Sequence, residues 1–108
     1  MVGSEKALHA EIRAALSLDA EAALLDAMIA WAALMIERGM TQEGADVLAW
    51  VLRQTALPSD AREQAEEIWE ELAAYICPRV LLDAQDFAAA AEQADLIEYI
   101  FAGEDESP

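Results

Sequence analysis

Reactive side chains are scarce in this chain: its 108 residues include one cysteine, Cys77, and one histidine, His9. A single cysteine excludes an internal disulfide and a cysteine-rich metal cage, and it suits a reducing compartment, so a cytoplasmic protein is expected. His9 can pair with Glu5 one turn earlier, but a carboxylate-bridged dimetal centre needs two Glu-x-x-His motifs and the chain has none. His9 reads as a surface or hinge residue. Cys77 stands before Pro78 with no histidine near it in sequence to activate it, and reads as a half-buried structural thiol. With no glycine-rich phosphate loop and no acid, base and nucleophile set, the chain calls for no cofactor, no metal and no catalytic activity.

Basic residues are also few, six against twenty-two acidic ones, giving a formal charge of −16. That balance opposes direct binding to nucleic acid or to an anionic membrane and favours a basic partner. Long apolar runs are missing as well. The longest, from Ala27 to Ile36, is bracketed by Asp26 and Glu37 and is about half of what a membrane-spanning helix needs. No basic segment followed by an apolar one opens the chain, so secretion is not expected.

What the chain has in abundance is alanine, leucine and isoleucine, and 56% of its residues are apolar. That is enough for one helical domain with a modest core. Residues 1–3 read as an expression leader, 4–102 as the domain, and the small acidic stretch 103–108 as a disordered tail. Leu8, Ile12, Ala15 and Leu16 recur at helical spacing after Ser4 until the break at Ser17-Leu18-Asp19. Asp19 is placed to cap a second helix reaching Arg38. Its two apolar stripes, one through Leu24, Met28, Trp31 and Met35 and one through Leu25, Ile29, Ala32 and Ile36, imply neighbours on two sides. Arg38-Gly39 is a good helix end, and Thr41 is placed to cap a third helix, with Gly44 admitting a close neighbouring backbone.

Pro58 marks the next turn, and Ser59 or Asp60 is placed to cap a fourth helix with its stripe at Ala61, Ala65, Ile68, Leu72 and Ile76. Cys77-Pro78 stops it. A fifth helix is predicted over about 79–93, and a short last one holding Leu96, Ile97, Ile100 and Phe101. The pairs Glu5/Glu43, Ala7/Ala45, Ala23/Ala61, Ala27/Ala65, Trp31/Trp69 and Leu34/Leu72 all coincide at one constant offset along the chain. Periods near this length, with two helices per unit, are a mark of helical-repeat stacks.

The run Leu34-Met35-Ile36-Glu37-Arg38-Gly39, then Gly44, Leu48-Ala49-Trp50-Val51-Leu52, Pro58, Arg62, Ala65 and Glu71-Leu72, resembles the last tetratricopeptide-like (TPR-like) repeats of bacterial signalling ATPases and transcriptional regulators of the STAND class. The family usually has alanine where Gly44 stands, and the glycine that often precedes its final helix is missing around Gln93-Ala94. The likeness spans residues 20–76 and rests on packing positions. It implies an all-α fold of antiparallel helical hairpins, a short TPR-like α-solenoid with C-terminal capping helices. It also implies a sensor or protein-interaction segment C-terminal to a nucleotide-switch ATPase, with further repeats preceding it.

Glu63, Glu66, Glu67, Glu70 and Glu71 share one face of the fourth helix. The like-charged pairs Glu63/Glu67, Glu66/Glu70 and Glu67/Glu71 each cost about 0.2–0.5 kcal/mol. Such a face is either simply solvated or a docking strip for a basic segment. The three tryptophans, Trp31, Trp50 and Trp69, are evenly spaced along the chain and read as core or as the lining of a peptide groove; Trp50 is the one expected to be partly exposed. Two functions follow: a non-catalytic module that binds a protein or a basic peptide, or an acidic mimic of nucleic acid that blocks a DNA-binding protein.

Overall fold

Six α-helices follow one another in the computed structural model, which describes residues 4–102, and no strand occurs among those residues. They are α1 (Ser4–Ser17), α2 (Glu21–Glu37), α3 (Thr41–Leu52), α4 (Ser59–Tyr75), α5 (Pro78–Ala90) and α6 (Gln93–Phe101). The leader expected at 1–3 and the tail expected at 103–108 lie outside the described residues. Among the described residues no helix is long and apolar enough to cross a membrane.

The first two turns are built alike. At the end of α2, Gly39 takes the left-handed conformation (φ 86°), its N–H donates to the Ile36 carbonyl at 3.1 Å, and that of Met40 donates to Met35 at 2.9 Å. This paired closure is a Schellman motif, and glycine adopts its left-handed residue without steric cost. At the end of α1 the same pair recurs, Asp19 to Leu16 and Ala20 to Ala15, with Asp19 left-handed at φ 55°. Asp19 therefore closes α1 instead of capping α2. The residue at the α2 N-cap is Ala20, at α3 Met40 and at α4 Pro58, and none makes a side-chain capping bond. The caps expected from Asp19, Thr41 and Ser59 or Asp60 are not made, because Asp19 closes α1 and the other three lie inside the first turns of their helices. From α2 onward, α6 alone carries a reciprocal side-chain cap: Asp95 accepts from the Glu92 N–H at 2.9 Å and Glu92 accepts from the backbone of Asp95. Asp95 lies inside the first turn of α6.

The constant offset of the sequence reappears in the helix boundaries. Shifted by that amount, α2 falls on α4 residue for residue, each 17 residues long, and α1 and α3 fall within about a turn of α3 and α5. α3 occupies the middle, packing most extensively on α2 and on α5 and much less on α4. Gly44 makes the approach to α2 possible: a Cβ there would lie 2.6 Å from Ile36 Cγ1 and 2.7 Å from the Ala32 carbonyl oxygen. The alanine usual in the resembling family has no room at this position.

Arg62, in the first turn of α4, reaches back to donate to the carbonyls of Leu52 at 2.9 Å and Gln54 at 2.7 Å, while Gln54 donates to Trp50 O at 2.9 Å. A cation thus satisfies carbonyls that the end of α3 leaves without helical partners. Leu48 and Leu72 are fully buried, whereas Leu52 and Ile68 are half-buried. α6 comes back to α1, setting Phe101 against His9 at 4.7 Å and under the Arg13 guanidinium at 4.6 Å, both on α1. The Cα radius of gyration is 13.1 Å. Compact domains of this length have about 13 Å, so the six helices pack into a compact globule.

Candidate functional site

α4 presents the expected acidic face. The residues with buried side chains are Ala61, Ala65 and Leu72, and all five carboxylates, Glu63, Glu66, Glu67, Glu70 and Glu71, are exposed on the other side. The five share the outer half of the helix but not one neighbour. Glu66 and Glu70 stand one turn before and one residue after Trp69, on its flank of α4, while Glu71 belongs to the opposite flank.

Trp69 borders a groove. α4 and α5 are linked through Ile76 and Cys77, and between them opens a cleft of about 350 Å³ lined by Ala49, Leu52, Arg53, Trp69, Gln85 and Ala88. Its floor is small and apolar, with Ala49 and Ala88 almost fully buried. Arg53, exposed at the C-terminal end of α3, supplies the cation of the lining.

Trp50 is not exposed. Its accessibility is 5%, and its indole N–H donates to the Ala91 carbonyl at 3.1 Å. The outward side expected for it does not exist, because every residue of α3 from Gly44 to Val51 is buried between α2 on one side and α5 on the other. Trp69 is the tryptophan that remains half-buried; Trp31 is 3% exposed. His9, expected at the surface, is 4% exposed because Phe101 covers it. Cys77, expected half-buried, is exposed at the N-cap of α5.

A polar stripe on α3 has no counterpart among the sequence expectations. Gln42, Asp46 and Trp50 follow one another at four-residue spacing and each holds part of α5 or α6 or the residue that ends α5. Gln42 Nε2 donates to Val80 O at 3.2 Å and to Asp46 Oδ1 at 2.8 Å; Tyr99 Oη donates to Asp46 Oδ2 at 2.7 Å; Trp50 donates to Ala91. Asp46 is 7% exposed. Burial pushes its carboxyl above the ordinary 3.8, reinforced by the negative charges of Glu43 and Asp83 and opposed by its two hydrogen bonds. Burial also raises the Tyr99 phenol, and its bond to Asp46 adds to that shift. Four-residue spacing of hydrogen-bonding side chains inside an apolar helix was the available signal.

A second cleft, of about 380 Å³, lies where α6 meets α2 and is lined by Trp31, Met35, Met40, Glu43, Tyr99, Ile100 and Ala102. Among the described residues there is no group of three or more His, Cys, Asp and Glu side chains arranged to hold a metal ion. No protein-family model matches the chain, and neither the curated proteins nor the solved structures contain a significant match to it.

Proposed function

We propose that this chain is a non-catalytic protein-interaction module, a short TPR-like stack that binds a protein or peptide along the outer flank of α4. The observation that carries the reading is Trp69, a half-buried aromatic bordering a cleft floored by Ala49 and Ala88, with the exposed Glu66 and Glu70 on its flank of α4. Partly buried tryptophans are enriched where proteins bind one another, since they combine a large apolar area with little side-chain entropy. The recurrence of helix boundaries at the sequence offset and the packing of α3 on α5 support the repeat-stack part of the proposal. Following the resemblance of residues 20–76, the module is proposed as part of a larger STAND-class regulatory protein of the bacterial cytoplasm, where its partner would restrain or report activation.

The test is a charge reversal. Replacing Glu66, Glu67 and Glu70 together by lysine should leave the helical content unchanged, because all three are exposed, and should abolish capture of the partner that the unaltered chain binds. Equal capture by both chains would leave α4 a solvated face. A second reading, an acidic mimic of nucleic acid, is favoured by the charge of −16 and the five aligned carboxylates. It requires that the chain displace duplex DNA from a DNA-binding protein, and that this displacement fade steeply with salt.

A further inference from the structure

We infer that the cleft where α6 meets α2 binds a small organic cation, an apolar amine that also carries a neutral oxygen acceptor, with the Trp31 indole N–H donating to that oxygen and Glu43 holding the ammonium. The inference stands apart from the α4 reading and uses none of its residues. Trp31 is 3% exposed, and among the described residues its Nε1 has no hydrogen-bond acceptor. A buried donor left unanswered is costly, and native structures hold few of them. The other buried tryptophan, Trp50, does find an acceptor, the Ala91 carbonyl at 3.1 Å. Trp31 instead lines a cleft of about 380 Å³, a volume within the range of small-ligand sites.

The lining selects the chemistry of the occupant. Its side-chain donors are Trp31 and Tyr99, and the Tyr99 hydroxyl is already given to Asp46, so the indole N–H is the one left for a ligand. The charged side chain of the lining is Glu43, half-buried in the first turn of α3. A carboxylate here, in a chain of net charge −16, repels carboxylates and phosphates and attracts a cation, so the acceptor is neutral and an ammonium accompanies it. Met35, Met40 and Ile100 supply the apolar part of the wall. Met40 is 46% exposed, and its unbranched thioether chain can shift to let an acceptor reach the buried ring.

Three related compounds test this near pH 6, where an α-amine is protonated. Phenylalaninamide carries a ring, an ammonium and a carbonyl; phenethylamine lacks the carbonyl, and N-acetylphenylalaninamide lacks the charge. Each is titrated into the full chain while the tryptophan indole N–H resonances are followed by nuclear magnetic resonance. Phenylalaninamide should move the Trp31 resonance more than those of Trp50 and Trp69, and should bind roughly tenfold more tightly than either of the others. Glu43→Gln should remove its advantage over the N-acetyl compound. Trp31→Phe, which deletes the donor and keeps an aromatic ring, should remove its advantage over phenethylamine; because that change can loosen the core, Glu43→Gln and the three-compound comparison on the unaltered chain each decide the matter without it. Reversal of Glu66, Glu67 and Glu70 to lysine should leave the affinity unchanged. Absence of binding, equal affinities for phenylalaninamide and either analogue, or a response centred on Trp50 or Trp69 would overturn the inference. So would a loss from the α4 reversal as large as that from Glu43→Gln, since attraction to the overall charge would then account for the binding.

Discussion

Tyr99 donates its hydroxyl to Asp46 Oδ2 at 2.7 Å, joining the last helix to the central one across 53 positions of sequence. The acceptor is a carboxylate with 7% exposure, and the charges that act on it, those of Glu43 and Asp83, are both negative. The phenol and the Gln42 amide are its compensation, and of these two neutral donors the phenol is the one that α6 supplies.

This makes Tyr99→Phe a sensitive change. The ring stays, with its edge-on contact to Phe87 at 5.1 Å, but Asp46 loses one of two donors. A hydrogen bond to a charged group is worth about 1.5–3 kcal/mol, and urea unfolding should show a loss in that range. The pH dependence follows from the raised carboxyl. Above 3.8 the unfolded chain releases the Asp46 proton while the folded chain still holds it, so this stabilisation is full below 3.8 and lost as pH rises through the folded value. The stability difference between the unaltered chain and Asp46→Asn should therefore change across that acid window, with the aspartate chain doing relatively better at the low-pH end. A difference independent of pH there would show that Asp46 is solvated like any surface carboxylate.

Gly44→Ala tests the contact of α2 with α3. The new methyl would meet a main-chain oxygen at 2.7 Å, which cannot swing aside as a side chain can, so the helices must separate. The usual helix-propensity gain of about 1 kcal/mol from Gly to Ala should be outweighed by an overpacking cost of about 1–3 kcal/mol. A higher melting temperature for this variant would mean the helices are further apart.

Asp19 and Gly39 make opposite predictions from two turns of the same type. Asp19 carries a Cβ in a left-handed conformation, and Asp19→Gly should stabilise the chain by up to about 1 kcal/mol. At Gly39 nothing lies within 4 Å of an added methyl. Gly39→Ala should nevertheless cost about 1–2 kcal/mol, because the strain is in the backbone. Thermal melts of the pair, read together, separate backbone strain from packing.

Arg62→Met removes two hydrogen bonds to the end of α3 while keeping much of the aliphatic stem. About 1.5–3 kcal/mol should be lost in urea unfolding. Arg62→Lys should recover only part of it, since an ammonium cannot offer the same fork of planar donors to two carbonyls. Full recovery by lysine would mean that charge at the helix end matters and geometry does not.

Helix number and order, the Gly39 turn, the close approach at Gly44 and the carboxylate face of α4 were legible in the sequence because each is local. Periodicity, backbone conformation and the three- and four-residue spacing on a helix depend only on near neighbours in the chain. The side-chain caps were misplaced because Asp19 can either cap a helix or take a left-handed turn residue, and the choice turns on hydrogen bonds back to the last turn of α1. Trp50, His9 and Asp46 were missed or misjudged for one shared reason. Each lies on a face that looks free within its own hairpin and is covered by a segment remote in sequence, 41 positions on from Trp50 and 53 on from Asp46. His9 is covered from the far end of the chain, by Phe101. Near-neighbour chemistry is thus sufficient for six short helices with a strongly acidic outer face. Which faces stay open is settled only in the assembled fold, because burial is a property of what returns to cover a surface: α6 returns over Trp31, whereas Trp69 stays half-buried beside a cleft it shares with α3 and α5.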